Sequence, residues 1–136
     1  MSTKVKKFCK ENDIEMTVNE QLEEGIRNIC QTLEAKAKKN MNYRNTERVK
    51  GKKRALKQSK TALMSIIEEG SSDKLEDNFK DITRQFDDLF CFFLGEAKSN
   101  EKDLRKFCEG KEEGFLYAVV DCKKLYIEVT GDGIYD

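Results

Sequence analysis

The sequence predicts an α+β domain, mostly helical, that ends in a β-hairpin. Three observations carry that expectation. Apolar residues recur at steps of three and four through most of the 136-residue chain, the period of a helix with one buried face. The chain has no proline, so the strongest helix breaker is missing. Towards the C-terminus the period changes to two, in FLYAVV (115–120) and LYIEVT (125–130), the alternation of half-covered strands. A length of 136 residues suits one domain over 1–136 with a single core.

Residues 3–11 fit a short helix with Val5, Phe8 and Cys9 on one side, and Asn12 and Asp13 suit a turn. Ile14, Met16 and Val18 alternate with Glu15 and Thr17, so 14–18 read as a strand or an extended lead-in. Thr17 and Glu20 have capping-box spacing for the next helix. That helix covers 19–40, with Leu22, Ile26, Ile29, Leu33 and Ala37 as its stripe. Its start is acidic and its end basic, both favourable to the helix dipole. Gly25 beside the stripe is either idle or the mark of a close approach.

Residues 41–51 read as a connector, because Asn40, Asn42 and Asn45 favour turns and helix ends. A helix then runs to Glu69, beginning after Gly51, on Val49, Leu56, Leu63, Ile66 and Ile67 with Ala62 at the margin. Gly70, Ser71 and Ser72 break it. The organising amphipathic helix is 73–94, with Leu75, Phe79, Ile82, Phe86, Leu89 and Phe93 on its stripe. Asp73 with Glu76 is its expected cap and Gly95 its stop. A fourth helix over 100–109 presents Leu104, Phe107 and Cys108 and is closed by Gly110. Residues 111–114 form a polar loop before the hairpin at 115–130.

Charge is high, balanced and segregated. Basic and acidic residues number 26 each, and charged residues make up 38% of the chain. Residues 36–60 nevertheless hold eleven basic side chains against Glu47 alone. At about 100° per residue, Lys50, Lys53, Arg54, Lys57 and Lys60 fall within an arc of roughly 120°. Together with Arg48 and Arg44 they are the expected contacts for nucleic-acid phosphates or an acidic protein surface. The alternative is a solvated face. KGKKR (50–54) also resembles a short basic localisation signal.

Catalytic chemistry is poorly provided for. Without histidine there is no histidine base, no Ser/His or Cys/His dyad and no imidazole metal ligand. No phosphate-binding glycine loop is present. The five cysteines lack zinc-site spacing and read as free thiols of a reducing compartment. The expectation is a small non-catalytic regulatory protein without cofactor or metal, cytoplasmic or nuclear, with no membrane span. A protein–protein adaptor or inhibitor and a structural homo-oligomer are the alternatives. Phe90, Phe92 and Leu94 surround the Phe93 end of the organising helix, which is therefore either deeply buried or a protein interface, including that of a homodimer.

Overall fold

The computed structural model describes residues 17–39, 46–68, 72–98 and 101–136, without the side chain of Ser72. These residues form four α-helices: α1 (Val18–Lys39), α2 (Glu47–Glu68), α3 (Leu75–Glu96) and α4 (Lys102–Thr130). A short 3₁₀ turn, Ser72–Lys74, leads into α3. No strand occurs among the described residues, so the protein is a helical bundle and the α+β expectation with a C-terminal hairpin is overturned. The expected helix at 3–11, and most of the lead-in at 14–18, lie outside the described residues.

The hairpin fails because α4 continues through Gly110, which was expected to close it, and through Gly114 of the expected polar loop. Phe115, Ala118, Val119, Cys122, Leu125 and Tyr126 are buried on one face. Their spacing is three and four. The period of two is carried by Ile127, which is 54% exposed, so it marks no buried face. The expected turn at 121–124 is one more helical turn, with Cys122 fully buried.

Glycine in a helix interior costs up to about 1 kcal/mol relative to alanine. Here the missing Cβ lets two backbones meet. Gly51, Ala55 and Ser59 lie four residues apart on α2, and Gly110, Gly114 and Ala118 lie four apart on α4. All six are buried. A Cβ at Gly110 would run into the Arg48 carbonyl and lie 2.7 Å from the Lys52 amide nitrogen. One at Gly114 would come within 2.6 Å of the Ala55 Cβ, and one at Gly51 would strike the Phe107 carbonyl. The Ser59 hydroxyl donates to the Ala55 carbonyl at 2.8 Å, so the seam holds no orphaned hydroxyl. Gly51 thus lies inside α2, which starts at Glu47, ahead of the expected start.

Side-chain pairings fix the directions. Cys30 of α1 reaches the Lys60 carbonyl of α2, while Ala37 shares a groove with Lys53, so α1 and α2 are antiparallel. Phe93 stacks on Phe115 and Phe79 on Tyr126, so α3 and α4 are antiparallel. Gly110 meets Arg48 and Gly114 meets Ala55, which makes α2 and α4 parallel. The bundle therefore alternates in direction and is closed across the α2–α4 diagonal. Leu22, Ile26 and Leu33 of α1, Leu56 and Leu63 of α2, Phe79 of α3 and Cys122 of α4 are fully buried around that pair. Gly25 has a reason as well: a Cβ there would lie 2.7 Å from the Leu125 Cδ2.

Local signals were met unevenly. The Glu20 amide donates to the Thr17 hydroxyl at 3.1 Å, capping α1. Asp73 does not cap α3, which starts two residues later behind Lys74 with no side-chain cap bond. Glu76 instead accepts a hydrogen bond from the Tyr126 hydroxyl at 2.9 Å. The stripe of α3 is buried at Leu75, Phe79 and Phe86, with Thr83 added, and it surfaces at Leu89, 37% exposed. Gly131, at φ 80°, caps α4 in the left-handed region. The tail then returns to α3, where Arg84 donates to the Ile134 carbonyl at 3.0 Å and the Tyr135 hydroxyl to Asp87 at 2.7 Å. Lys123 completes this clasp with an ion pair to Asp87 at 3.2 Å.

The close diagonal makes two glycines behave oppositely. Gly110→Ala is expected to lower stability by about 1–3 kcal/mol, the cost of overpacking, although alanine is the better helix former. Gly95→Ala, where an added Cβ meets nothing within 4 Å, is expected to raise it by up to about 1 kcal/mol. Urea unfolding of both variants measures the contrast, and equal effects would remove the close-contact explanation.

Candidate functional site

The basic segment folds into the outer side of α2 and the last turns of α1. Packing Gly51, Ala55 and Ser59 against α4 turns the rest of α2 outward. The basic side chains then divide into neutralised and open groups. Arg48 and Lys52 both pair with Glu113 of α4, at 3.2 and 3.1 Å. Lys50 pairs with Glu47 at 3.1 Å, and Lys60 pairs with Glu34 of α1 at 3.2 Å. Lys53, Arg54 and Lys57 have no ion pair among the described residues. Arg54 and Lys57 are exposed and Lys53 is half-buried. The Arg54 guanidinium lies over the Phe107 ring at 5.7 Å. Arg44 is outside the described residues. The carboxylates that balance this region come from α1, α2 and α4, and none of the ion pairs among the described residues joins it to the acidic helix α3.

A groove runs between α1 and α2, with a cavity of about 410 Å³. Lys53, Lys57 and Lys60 line it from α2, and Glu34 and Lys38 from α1. Leu33 and Leu56 lie fully buried beneath these stems. Glu34 holds Lys38 at 3.3 Å and Lys60 at 3.2 Å. Hydrogen bonding from Lys60, then Lys38, keeps its carboxyl below the usual carboxylate range. Sequence reasoning placed Lys53, Lys57 and Lys60 on one helical arc. It counted Lys38 only within the basic run 36–60 and gave Glu34 no role, because their place depends on how α1 pairs with α2.

The expected aromatic interface is dispersed. Phe90 and Leu94 are half-buried, and Phe90 packs against the core. Phe92 is 58% exposed and meets Phe93 edge to face at 5.1 Å. Cys91 is exposed, whereas Cys30, Cys108 and Cys122 are buried free thiols. Burial pushes the Cys30 thiol up to about 11, and that of Cys122 higher still, which leaves both poor nucleophiles.

One cation is enclosed. Lys111 is 7% exposed, and its ammonium lies 5.5, 5.9 and 5.7 Å from the rings of Phe93, Phe107 and Phe115. It donates to the Gln58 side-chain carbonyl at 2.6 Å. Burial, and secondarily the Arg54 charge, lower its pKa. Among the described residues no group of three or more His, Cys, Asp or Glu side chains is placed to hold a metal. No described helix is long and apolar enough to cross a membrane. No protein family, curated protein or solved structure matches this chain.

The lowered Lys111 pKa has a definite sign. An ammonium whose folded pKa lies below its unfolded value of about 10.4 is an unfavourable charge in the folded state. Its penalty is complete below the folded pKa and disappears as pH rises through the unfolded value. Lys111→Met, which keeps the apolar stem, is expected to raise the urea midpoint at neutral pH. Its advantage should shrink as pH approaches about 10.4. A lower midpoint for the variant throughout would mean that the ring and Gln58 contacts outweigh the burial.

Proposed function

We infer that this chain is a non-catalytic binding protein that takes nucleic-acid phosphates on the outward face of α2. The observation that carries this reading is the uneven neutralisation of the basic segment. Carboxylates of α1, α2 and α4 occupy Lys38, Arg48, Lys50, Lys52 and Lys60, and the charges of Lys53, Arg54 and Lys57 stay open on one face. From Lys53 to Lys57 the helix rises about 6 Å, within a Debye length of about 8 Å at physiological salt, so these charges act on a ligand as one field. Such a face follows a phosphate backbone and carries no base-reading contact of its own. The free thiols of Cys30, Cys91, Cys108 and Cys122 support a cytoplasmic or nuclear setting.

A protein partner, or a second copy of this chain, is the second reading. It is favoured by Phe92, with Leu89 three residues before it on the same face and also exposed.

Titration of labelled DNA and RNA at low and moderate salt separates the two. Binding is expected at low salt. Replacing Lys53, Arg54 and Lys57 by alanine should weaken it at least about tenfold. It should also reduce the slope of log K against log salt by about 0.7–0.9 for each phosphate that is no longer neutralised. No binding at low salt sinks the first reading. Sedimentation that shows self-association in the native chain and a monomer for Phe92→Ser would then put the second in its place.

A further inference from the structure

The α1–α2 groove differs in shape from the open strip of α2. The strip is a line of charges on a convex helix. The groove is concave, with Lys38, Lys53, Lys57 and Lys60 converging on it from two helices. Its volume of about 410 Å³ falls within the range of about 300–1,000 Å³ typical of small-ligand sites. Four lysines line it together with one carboxylate residue, Glu34, which holds the ammonium groups of Lys38 and Lys60. Lysines are mobile point charges, and their stems shield Leu33 and Leu56, which are fully buried. An entering ligand therefore meets charge and methylene stems, with no open apolar floor.

Glu34 shows where an anion sits in this groove. One of its carboxylate oxygens faces Lys38 at 3.3 Å and the other faces Lys60 at 3.2 Å. A charged acceptor in that position draws charge-assisted hydrogen bonds from two helices at once. Its negative charge also opposes any external anion that approaches the same lysines.

We propose that the groove is a binding site for a compact polyphosphate, and that Glu34 is an internal counter-anion which this ligand displaces from Lys38 and Lys60. A short polyphosphate carries several negative charges within one small volume, matching four convergent cations better than a single carboxylate does. Lys53 and Lys57 take the outer phosphates, while Lys38 and Lys60 turn from Glu34 to the inner one. The Thr61 side chain on the groove wall brings a hydroxyl donor to the same place. The proposal rests on the reading of this face as a phosphate-binding surface and gives its concave part a ligand of its own.

Isothermal titration of the full chain with inorganic tripolyphosphate tests it. The native protein is expected to bind one equivalent saturably. Glu34→Gln removes the competing charge and is expected to tighten binding about three- to tenfold. Lys38→Ala with Lys60→Ala is expected to weaken it about tenfold or more. The exposed Lys38→Ala change alone gives the same direction should the double variant not fold. Arg54→Ala, outside the groove, should leave tripolyphosphate binding unchanged while weakening nucleic-acid binding. Absence of saturable binding overturns the proposal, as does Glu34→Gln binding no tighter than the native chain. If nucleic acid still binds in that case, the groove proposal falls alone; if neither ligand binds, the reading of the whole face falls with it.

Discussion

The backbone contact between α2 and α4 is the constraint on which the rest of this bundle depends. Helices normally stand 8–10 Å apart because side chains separate them. At Gly110 and Gly114 nothing separates them, and the α2 backbone at Arg48, Lys52 and Leu56 occupies the space where side chains would be. Two parallel helices of a bundle with alternating directions are thereby brought together across its diagonal. Helices α1 and α3, both antiparallel to this pair, bury their apolar stripes against it. Dispersion contacts along such a seam are individually small, but they are numerous and tolerate little added volume.

The same contact decides what α2 presents to solvent. Its small residues face inward, so the long basic side chains between them project outward. Charge sorting follows from which carboxylates the neighbouring helices bring within reach. Glu113 on α4 and Glu34 on α1 each hold two cations. Exposed pairs of this kind contribute little to stability, usually below about 1 kcal/mol each. Their larger effect here is to divide one basic run into a neutralised part, an open strip and a groove. Lys111 follows a different rule. Its ammonium is taken out of water, and aromatic faces together with a single amide carbonyl replace part of its hydration.

Much of the helical architecture was legible in the sequence. The stripe of α1 is buried as its period predicts, from Leu22 to Ala37. Thr17 caps that helix, and the first two helices are described to Lys39 and Glu68, close to the ends that composition implied. The course of α3 was legible too, although a 3₁₀ turn precedes it and its stripe surfaces at Leu89. The basic arc of α2 was visible because charge at helical spacing needs no knowledge of the partner helix. The groove was not visible, since it exists only where Glu34 and Lys38 meet Lys53, Lys57 and Lys60 across two elements.

The misreading of the C-terminal third has a single physical origin. Glycine is read as a stop because it weakens an isolated helix, and the alternation of Leu125, Ile127 and Val129 is read as a strand because it fits a pleat. Both inferences concern the chain by itself. By itself, the sequence determined the periods of the first three helices, the α1 cap and the position of the basic run. The tertiary structure decided that Gly110 and Gly114 lie inside one 29-residue helix. Their lack of a side chain is unfavourable locally, and it is offset only when another backbone occupies the vacant space.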